Sequence, residues 1–362
     1  MDFSAYDNFK IRDPYYSGYR LLSTPDRSGA KPEIFVSTTN RSAGKTVFYN
    51  GWLLHQFIKT GKKFLLLFRN KYEIDNAAEN FFSQIGGLFY VGLHMTQERG
   101  IKNVFDKIYL AGPEENSETL CGYATSLRAS EQIKKYSSML SEVEYILFDE
   151  AFPEDGGYLP DEIQRLMSIH DSLARGGGSQ SRYLPLIVVG NLIDVFNPLY
   201  EALGIVDDLT IKVNYMRGNG WVVEQGFNEA SAQAHKESGF HRALAAHAYT
   251  SAAQDRAYLN TSYLFIDNDI ADQGFYICTI VYKKKSYSVR YNEAAGFYYV
   301  GVHPDPGHRL VQAATEADIS DTAIYDPLSR SRKLLKKKYR ENGIRFKSLE
   351  ARNALMHFVI GK

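Results

Sequence analysis

The sequence predicts an α/β three-layer sandwich followed by a helical connector and a second, smaller α+β domain. Three observations predict it. Apolar runs at 34–37, 64–68, 145–148 and 186–189, joined by an alternating run at 209–213, are interleaved with stretches of helical periodicity such as 47–59 and 160–174. That is the pattern of a largely parallel sheet covered by helices on both faces. After Gly226 the texture changes, because residues 227–258 are alanine-rich with few β-branched side chains and read as helix. Beyond them, aromatic and β-branched runs at 263–266, 275–282, 286–291 and 296–300, separated by Lys, Asn and Gly turns, read as an antiparallel meander, and a basic helical tail follows. The expected division is an N-terminal arm at 1–32, a first domain at 33–225, a helical linker or lid at 226–259 and a C-terminal domain at 260–362. The arm, rich in Tyr, Asp, Ser and Pro, is expected to lie against a domain or a neighbour.

The chain of 362 residues is long enough to bury a sizeable core. Lys and Arg total 42 and Asp and Glu also 42, so the protein as a whole favours neither acidic nor basic partners. The tail is different: Arg330, Arg332, Lys333, Lys336, Lys337, Lys338, Arg340, Arg345, Lys347 and Arg352 meet few acids. Only Cys121 and Cys278 are present, which excludes a disulfide framework or a four-cysteine zinc site and suits a reducing compartment. No apolar run approaches the roughly 20 residues of a membrane span, and the start of the chain lacks the pattern of a signal peptide. The expected location is the cytoplasm, without a membrane partner.

Two motifs carry chemistry. Asn40, Arg41, Ser42, Ala43, Gly44, Lys45 and Thr46 match a Walker A phosphate loop, with Thr39 where the first glycine is usual. Backbone N–H groups and the positive end of the following helix suit the phosphates of ATP, Lys45 suits the β and γ oxygens, and the Thr46 hydroxyl suits Mg²⁺. The run 145–148 then ends in Asp149 and Glu150, two acids where a doubly wound sheet presents residues to its ligand crevice. Asp149 is the expected Mg²⁺ ligand and Glu150 the residue that orients and deprotonates the attacking water. With the run at 64–68 between the motifs in sequence, this pairing predicts a P-loop NTPase of the additional-strand, catalytic-glutamate division. Asn191, at the end of the run 186–189, is placed either to sense the γ-phosphate or to cap the next turn.

Arg41, the sequence Phe148, Asp149, Glu150 and the stretch 190–200 resemble the DNA-packaging (encapsidation) ATPases of small short-tailed Picovirinae-type phages, relatives of the terminase large subunits. The likeness begins before the Walker A loop and resumes at 275–299. It implies a homomeric ring, five-membered on the procapsid, docked at the portal vertex and driving double-stranded DNA inward, in some relatives with a structural RNA. It also implies that Arg41 serves the γ-phosphate region and Asn191 the coupling of hydrolysis to movement. Arg175 falls where such rings offer an arginine to a neighbour's ATP, although a helix-end cation favoured by the dipole looks the same in sequence. Arg182, Lys134 and Lys135 are the further trans-acting candidates.

Thr39 and Ser42 depart from glycines of the resembled family. Terminases carry an RNase H-like nuclease in their second domain, whose metal site needs converging carboxylates. Here the strands expected at 275–282 and 286–291 contain no acid, although Asp267 and Asp269 follow an earlier run. The expectation is a vestigial nuclease fold that binds nucleic acid without cutting it, through Lys283, Lys284, Lys285, Arg330, Lys336 and Lys337. A solvated charged face is the plainer reading of those lysines. Outside packaging, a P-loop helicase or other translocase, or a nucleotide-binding scaffold without turnover, would share the Walker motifs.

Overall fold

In the computed structural model the described residues are 3–7, 9–101, 104–113, 118–153, 157–175, 181–191, 197–206, 208–209, 213–243, 266, 273–304, 307 and 310–360. They divide into two compact units, Met1–Ile205 with Leu209–Arg256, and Val206–Asp208 with Ala257–Lys362. Of the stretch read as a linker, the described residues 226–243 group with the first unit.

Among the described residues the first unit holds nine strands: β1 (Ile34–Thr38), β2 (Lys63–Phe68), β3 (His94–Arg99), β4 (Phe105–Ala111), β5 (Glu118–Ser126), β6 (Val143–Phe148), β7 (Leu186–Gly190), β8 (Tyr215–Arg217) and β9 (Trp221–Gln225). Their order is β3-β4-β5-β2-β6-β7-β1-β9-β8. From β5 to β9 across this order the pairings are parallel, and β3, β4 and β8 extend the edges antiparallel. The central strands are apolar on both faces because helices cover both: Phe35, Val36, Phe64, Leu65, Ile146, Leu147, Ile187 and Val188 are all buried. The principal helices are α1 (Lys45–Thr60), α2 (Ala77–Ser83), α3 (Ser130–Tyr136), α4 (Glu162–Leu173), α5 (Pro198–Leu203) and α6 (Glu229–Glu237).

The strand inserted between the phosphate-loop strand β1 and the acid-bearing strand β6 is β7; β2, which contains the run 64–68, lies on the far side of β6. Of the strand expected at 209–213, only Leu209 and Val213 are described, both outside any strand, and 210–212 lie outside the described residues. One edge of the sheet is formed by the β8–β9 hairpin, whose polar, glycine-containing sequence gave no run to read.

The arm packs on its own unit. Phe3, Phe9 and Leu21 are buried in the core around α1, and Phe9 meets Phe48 and Phe89 with ring centroids 6.0 and 5.0 Å apart. This explains a glycine in the middle of α1: a Cβ on Gly51 would stand 2.2 Å from the Phe9 ring. The helical propensity given up there, about 1 kcal/mol relative to Ala, makes room for the arm.

The second unit holds β10 (Phe275–Tyr282), β11 (Lys285–Asn292), β12 (Phe297–Gly301), β13 (Val311–Ala313) and β14 (Ile344–Phe346), with α7 (Arg330–Arg340) and α8 (Leu349–Ile360). β10, β11 and β12 form the antiparallel meander, β13 lies parallel to β10, and β14 lies parallel to β12. Of the strand expected at 263–266 only Ile266 is described, bridged to Phe346; Asp267 and Asp269 lie outside the described residues. α8 packs on β10 and β12, where Cys278, Ile280, Val300, Leu355 and Phe358 are buried.

Candidate functional site

The register of β6, β7 and β1 fixes the site before any side chain is considered. Thr38 pairs with Gly190, and Phe148 pairs with Val188. Residues 39, 149 and 191 therefore leave the sheet side by side at its C-terminal edge, the crevice where open α/β sheets bind ligands. The phosphate loop follows β1 and turns into α1 through Gly44, whose φ of 96° is left-handed and open to glycine alone without strain. Ser42 adopts φ 59° and Glu150 φ 51°, left-handed values that are uncommon for non-glycine residues and that occur here on both sides of the crevice.

Lys45 is the buried cation of the loop, 6% exposed. Its Nζ donates to Thr39 Oγ1 at 2.6 Å and to Asn191 Oδ1 at 3.0 Å, with longer contacts of 3.4 Å to the Thr39 and Asn40 carbonyls. Burial pulls its pKa down to about 8, and the nearby Asp149 offsets only part of that penalty. A buried ammonium short of negative charge suits an anionic phosphate. Thr46 hydrogen-bonds Asp149, whose carboxyl is pushed up by burial and by Glu150 and held down by the Glu150 N–H, Thr46 and Lys45. The Glu150 N–H donates to Asp149 Oδ1 at 2.9 Å. A hydroxyl and a carboxylate joined in this way, with hard oxygen donors, fit Mg²⁺. Glu150 itself is exposed at the mouth of the crevice. Lys45, Thr46, Asp149, Glu150 and Asn191 line one cavity of about 1780 Å³, which also reaches Lys10, Arg12 and Tyr15 of the arm.

The structure thus brings together Asn40 to Thr46, Asp149, Glu150 and Asn191. Arg175 is elsewhere. α4 connects parallel neighbours β6 and β7 and must run back along the sheet, so Arg175, exposed just past its C-terminus, stands at the edge opposite its own phosphate loop. Arg182 is engaged within its own unit. Its NH2 donates to the Val143 carbonyl and, at 3.1 Å, to the Leu173 carbonyl, and NH1 lies 3.6 Å from Glu144. It staples the end of α4 to the start of β6. Lys134 and Lys135 are exposed on α3, Lys134 paired with Glu131 at 2.9 Å.

In the second unit Lys283 and Lys284 form the two-residue β10–β11 turn, both left-handed with φ 49° and 64°. Such a turn usually takes Asn-Gly; here the Lys283 N–H is held by Asp318 Oδ1 at 2.7 Å. Lys285, Arg330, Lys336 and Lys337 are exposed. Burial and the neighbouring Arg340 and Arg332 push the Lys336 pKa down.

A family model of podovirus DNA encapsidation proteins (Gp16) matches residues 15–360. The chain belongs to this family. A DNA packaging protein of Bacillus phage PZA and another of Bacillus phage phi29 are each 23% identical over 286 residues, 78% of this chain and 79% of the relative. Among solved structures, the bacteriophage Phi-29 viral genome packaging motor assembly matches with a TM-score of 0.53 at 20% identity, over 94% of this chain and 96% of that one. The Phi-28 gp11 DNA packaging motor matches with a TM-score of 0.51 at 16% identity, over 97% and 99%. At those identities the structural likeness speaks for the fold.

In this Gp16-family chain three groups of residues at the site escaped sequence reading. Arg69, at the end of β2 and 6% exposed, makes a bidentate pair with Glu162 through Nε and NH2, both at 2.9 Å. The same guanidinium donates to the Ala151 carbonyl at 2.8 Å and the Glu150 carbonyl at 3.4 Å, fixing the backbone that presents Glu150. Tyr16 ties the arm to the sheet through Glu224, Ser37 and Tyr49, and its N–H donates to the Ala43 carbonyl at 2.9 Å. Asn228, Ser231 and His235 of the α6 segment touch the loop from outside. An acid in the first turn of α4 and an arginine after an apolar strand were visible signals, but nothing in sequence paired them.

Proposed function

We propose that this chain is the ATP-hydrolysing subunit of a motor that drives double-stranded phage DNA into a procapsid. The observation that carries the reading is the convergence of Lys45, the Thr46–Asp149 pair and Asn191 at one strand edge in a chain of the encapsidation family. Thr46 and Asp149 would hold Mg²⁺, which when bound neutralises phosphate charge. The loop amides and Lys45 bind the phosphates, and Arg41 serves the γ-phosphate region. Glu150 orients the attacking water and takes its proton. Lys45 must exchange Thr39 and Asn191 for phosphate oxygens, so occupation of the loop releases the Asn191 side chain. That exchange is a physical route from nucleotide state to the segment after β7.

Arg175 cannot serve its own loop from the opposite edge, which favours action on a neighbouring copy in a homomeric, five-membered ring at the portal vertex. Lys283, Lys284, Lys285, Arg330, Lys336 and Lys337 are proposed to meet nucleic acid phosphates, of DNA or of a packaging RNA, without base specificity. Nuclease activity is proposed to be absent, since β10 and β11 carry no acid. The test is the Glu150→Ala chain: retained Mg·ATP binding with loss of turnover, measured with and without duplex DNA and procapsids, is the expected result. DNA-stimulated turnover at the unaltered rate would sink the reading.

A further inference from the structure

The outer side of the phosphate loop is held by one face of α6. The Asn40 side chain donates through Nδ2 to the Asn228 carbonyl at 3.0 Å and accepts through Oδ1 from the Asn228 N–H at 2.8 Å, reading both backbone groups of one residue. Ser231 Oγ donates to the Arg41 carbonyl at 2.6 Å. His235 Nε2 and Ser42 Oγ share a hydrogen bond of 3.1 Å. Three consecutive loop positions are thus met by Asn228, Ser231 and His235, which are spaced three and four apart and so stack on one helix face. Asn228 also caps α6 by accepting from the Ser231 N–H at 2.8 Å, and it donates to the Pro14 carbonyl at 2.5 Å, joining arm, helix and loop at one residue.

Ser42 gives this arrangement its physical purpose. Its φ of 59° is a conformation glycine adopts freely and serine does not. Without an external partner the loop would relax away from it. The hydroxyl that glycine lacks is the atom His235 holds, so the side chain that creates the strain also supplies the tether.

We propose that Asn228, Ser231 and His235 are positioning residues of the phosphate loop, replacing with side-chain tethers on α6 the freedom that a glycine at position 42 would give. The inference rests on the nucleotide-site reading. It makes the segment leading out of the first unit a part of nucleotide binding, since any displacement of α6 must loosen residues 40–42.

The experiment is a double-mutant cycle on the full chain. Binding of Mg·ADP is measured by calorimetry, and kcat and KM for Mg·ATP by steady-state hydrolysis, with thermal melting as the folding control. His235→Ala is expected to weaken Mg·ADP binding roughly five- to thirtyfold, the size of a left-handed serine penalty, with unchanged melting. His235→Gln, which restores a polar atom at similar reach, should recover it. In the Ser42→Gly background, whatever its own constants, His235→Ala should have no additional effect, because the strain it resists is gone. Equal effects of His235→Ala in both backgrounds, or none in either, would overturn the inference alone. Failure of the unaltered chain to bind Mg·ADP saturably would overturn the nucleotide-site reading and this inference together.

Discussion

Removing the Glu162 side chain should destabilise the first unit far more than removing the whole Arg69–Glu162 pair. Both side chains are buried, 7% and 5% exposed, and two 2.9 Å bonds join them in the parallel geometry of a guanidinium and a carboxylate. Glu162 also accepts the Leu159 N–H at 2.8 Å. Glu162→Ala leaves a buried guanidinium with the Ala151 and Glu150 carbonyls and the Phe148 and Tyr158 rings but without its paired carboxylate, and breaking a buried pair in this way costs about 3–5 kcal/mol. For a unit of this size each kcal/mol moves the melting temperature about 2–4 °C, so a fall of roughly 6–20 °C is expected by calorimetry or circular dichroism. Arg69→Met with Glu162→Leu fills the same space with apolar atoms and should melt much closer to the unaltered chain. Activity should not follow stability, because that double variant still lacks the donor that fixes the Glu150 and Ala151 carbonyls; roughly a tenfold or greater loss of turnover is expected. A double variant that melts as low as Glu162→Ala, or one that hydrolyses ATP at the unaltered rate, would refute this account of the pair.

Arg175→Ala should leave melting unchanged and lower turnover by roughly 10³–10⁵, and mixing it with Glu150→Ala chains should restore part of the hydrolysis, because each supplies what the other lacks. No recovery on mixing would count against action in trans. Arg182→Ala should do the reverse, lowering stability by about 1–3 kcal/mol in urea unfolding through the carbonyls it leaves unmet, without this complementation. Gly51→Ala should detach the arm by driving a methyl into the Phe9 ring, lowering stability by about 1–3 kcal/mol; faster proteolysis of the N-terminal residues is the readout. Hydrogen bonds from Ser28, Gly220 and Ala30 hold the Asp26 carboxyl down at about 2, against 3.8 for a free group. Its stabilisation is therefore complete above pH 3.8 and lost as pH falls through about 2, so the melting difference between the unaltered chain and Asp26→Asn should close over that range. A difference that stays constant from pH 5 to 2 would exclude the assignment.

The sequence by itself determined which residues meet at the candidate site. The residues from Asn40 to Thr46 and the Asp149–Glu150 pair were legible because a phosphate loop needs backbone amides, a lysine and a hydroxyl in fixed succession. An apolar run ending in acids can scarcely mean anything but a strand delivering them to an edge. The core strands of the first unit were legible for a related reason, since burial on both faces leaves an unbroken apolar run. Amphipathic or polar elements were not: β3, the β8–β9 hairpin and the α6 contact face mix charged and apolar residues, and the loop that α6 meets lies far away in the chain. Only the tertiary structure decided that β7, and not β2, separates β1 from β6. That placement sets Asn191 3.0 Å from Lys45. It also decided that Arg182 is a staple while Arg175 is presented at the far edge, and that Arg69 finds Glu162, 93 residues later. A strand's place in a sheet, and a buried charge's choice of partner, follow from which apolar faces cover one another, and local sequence carries no record of that.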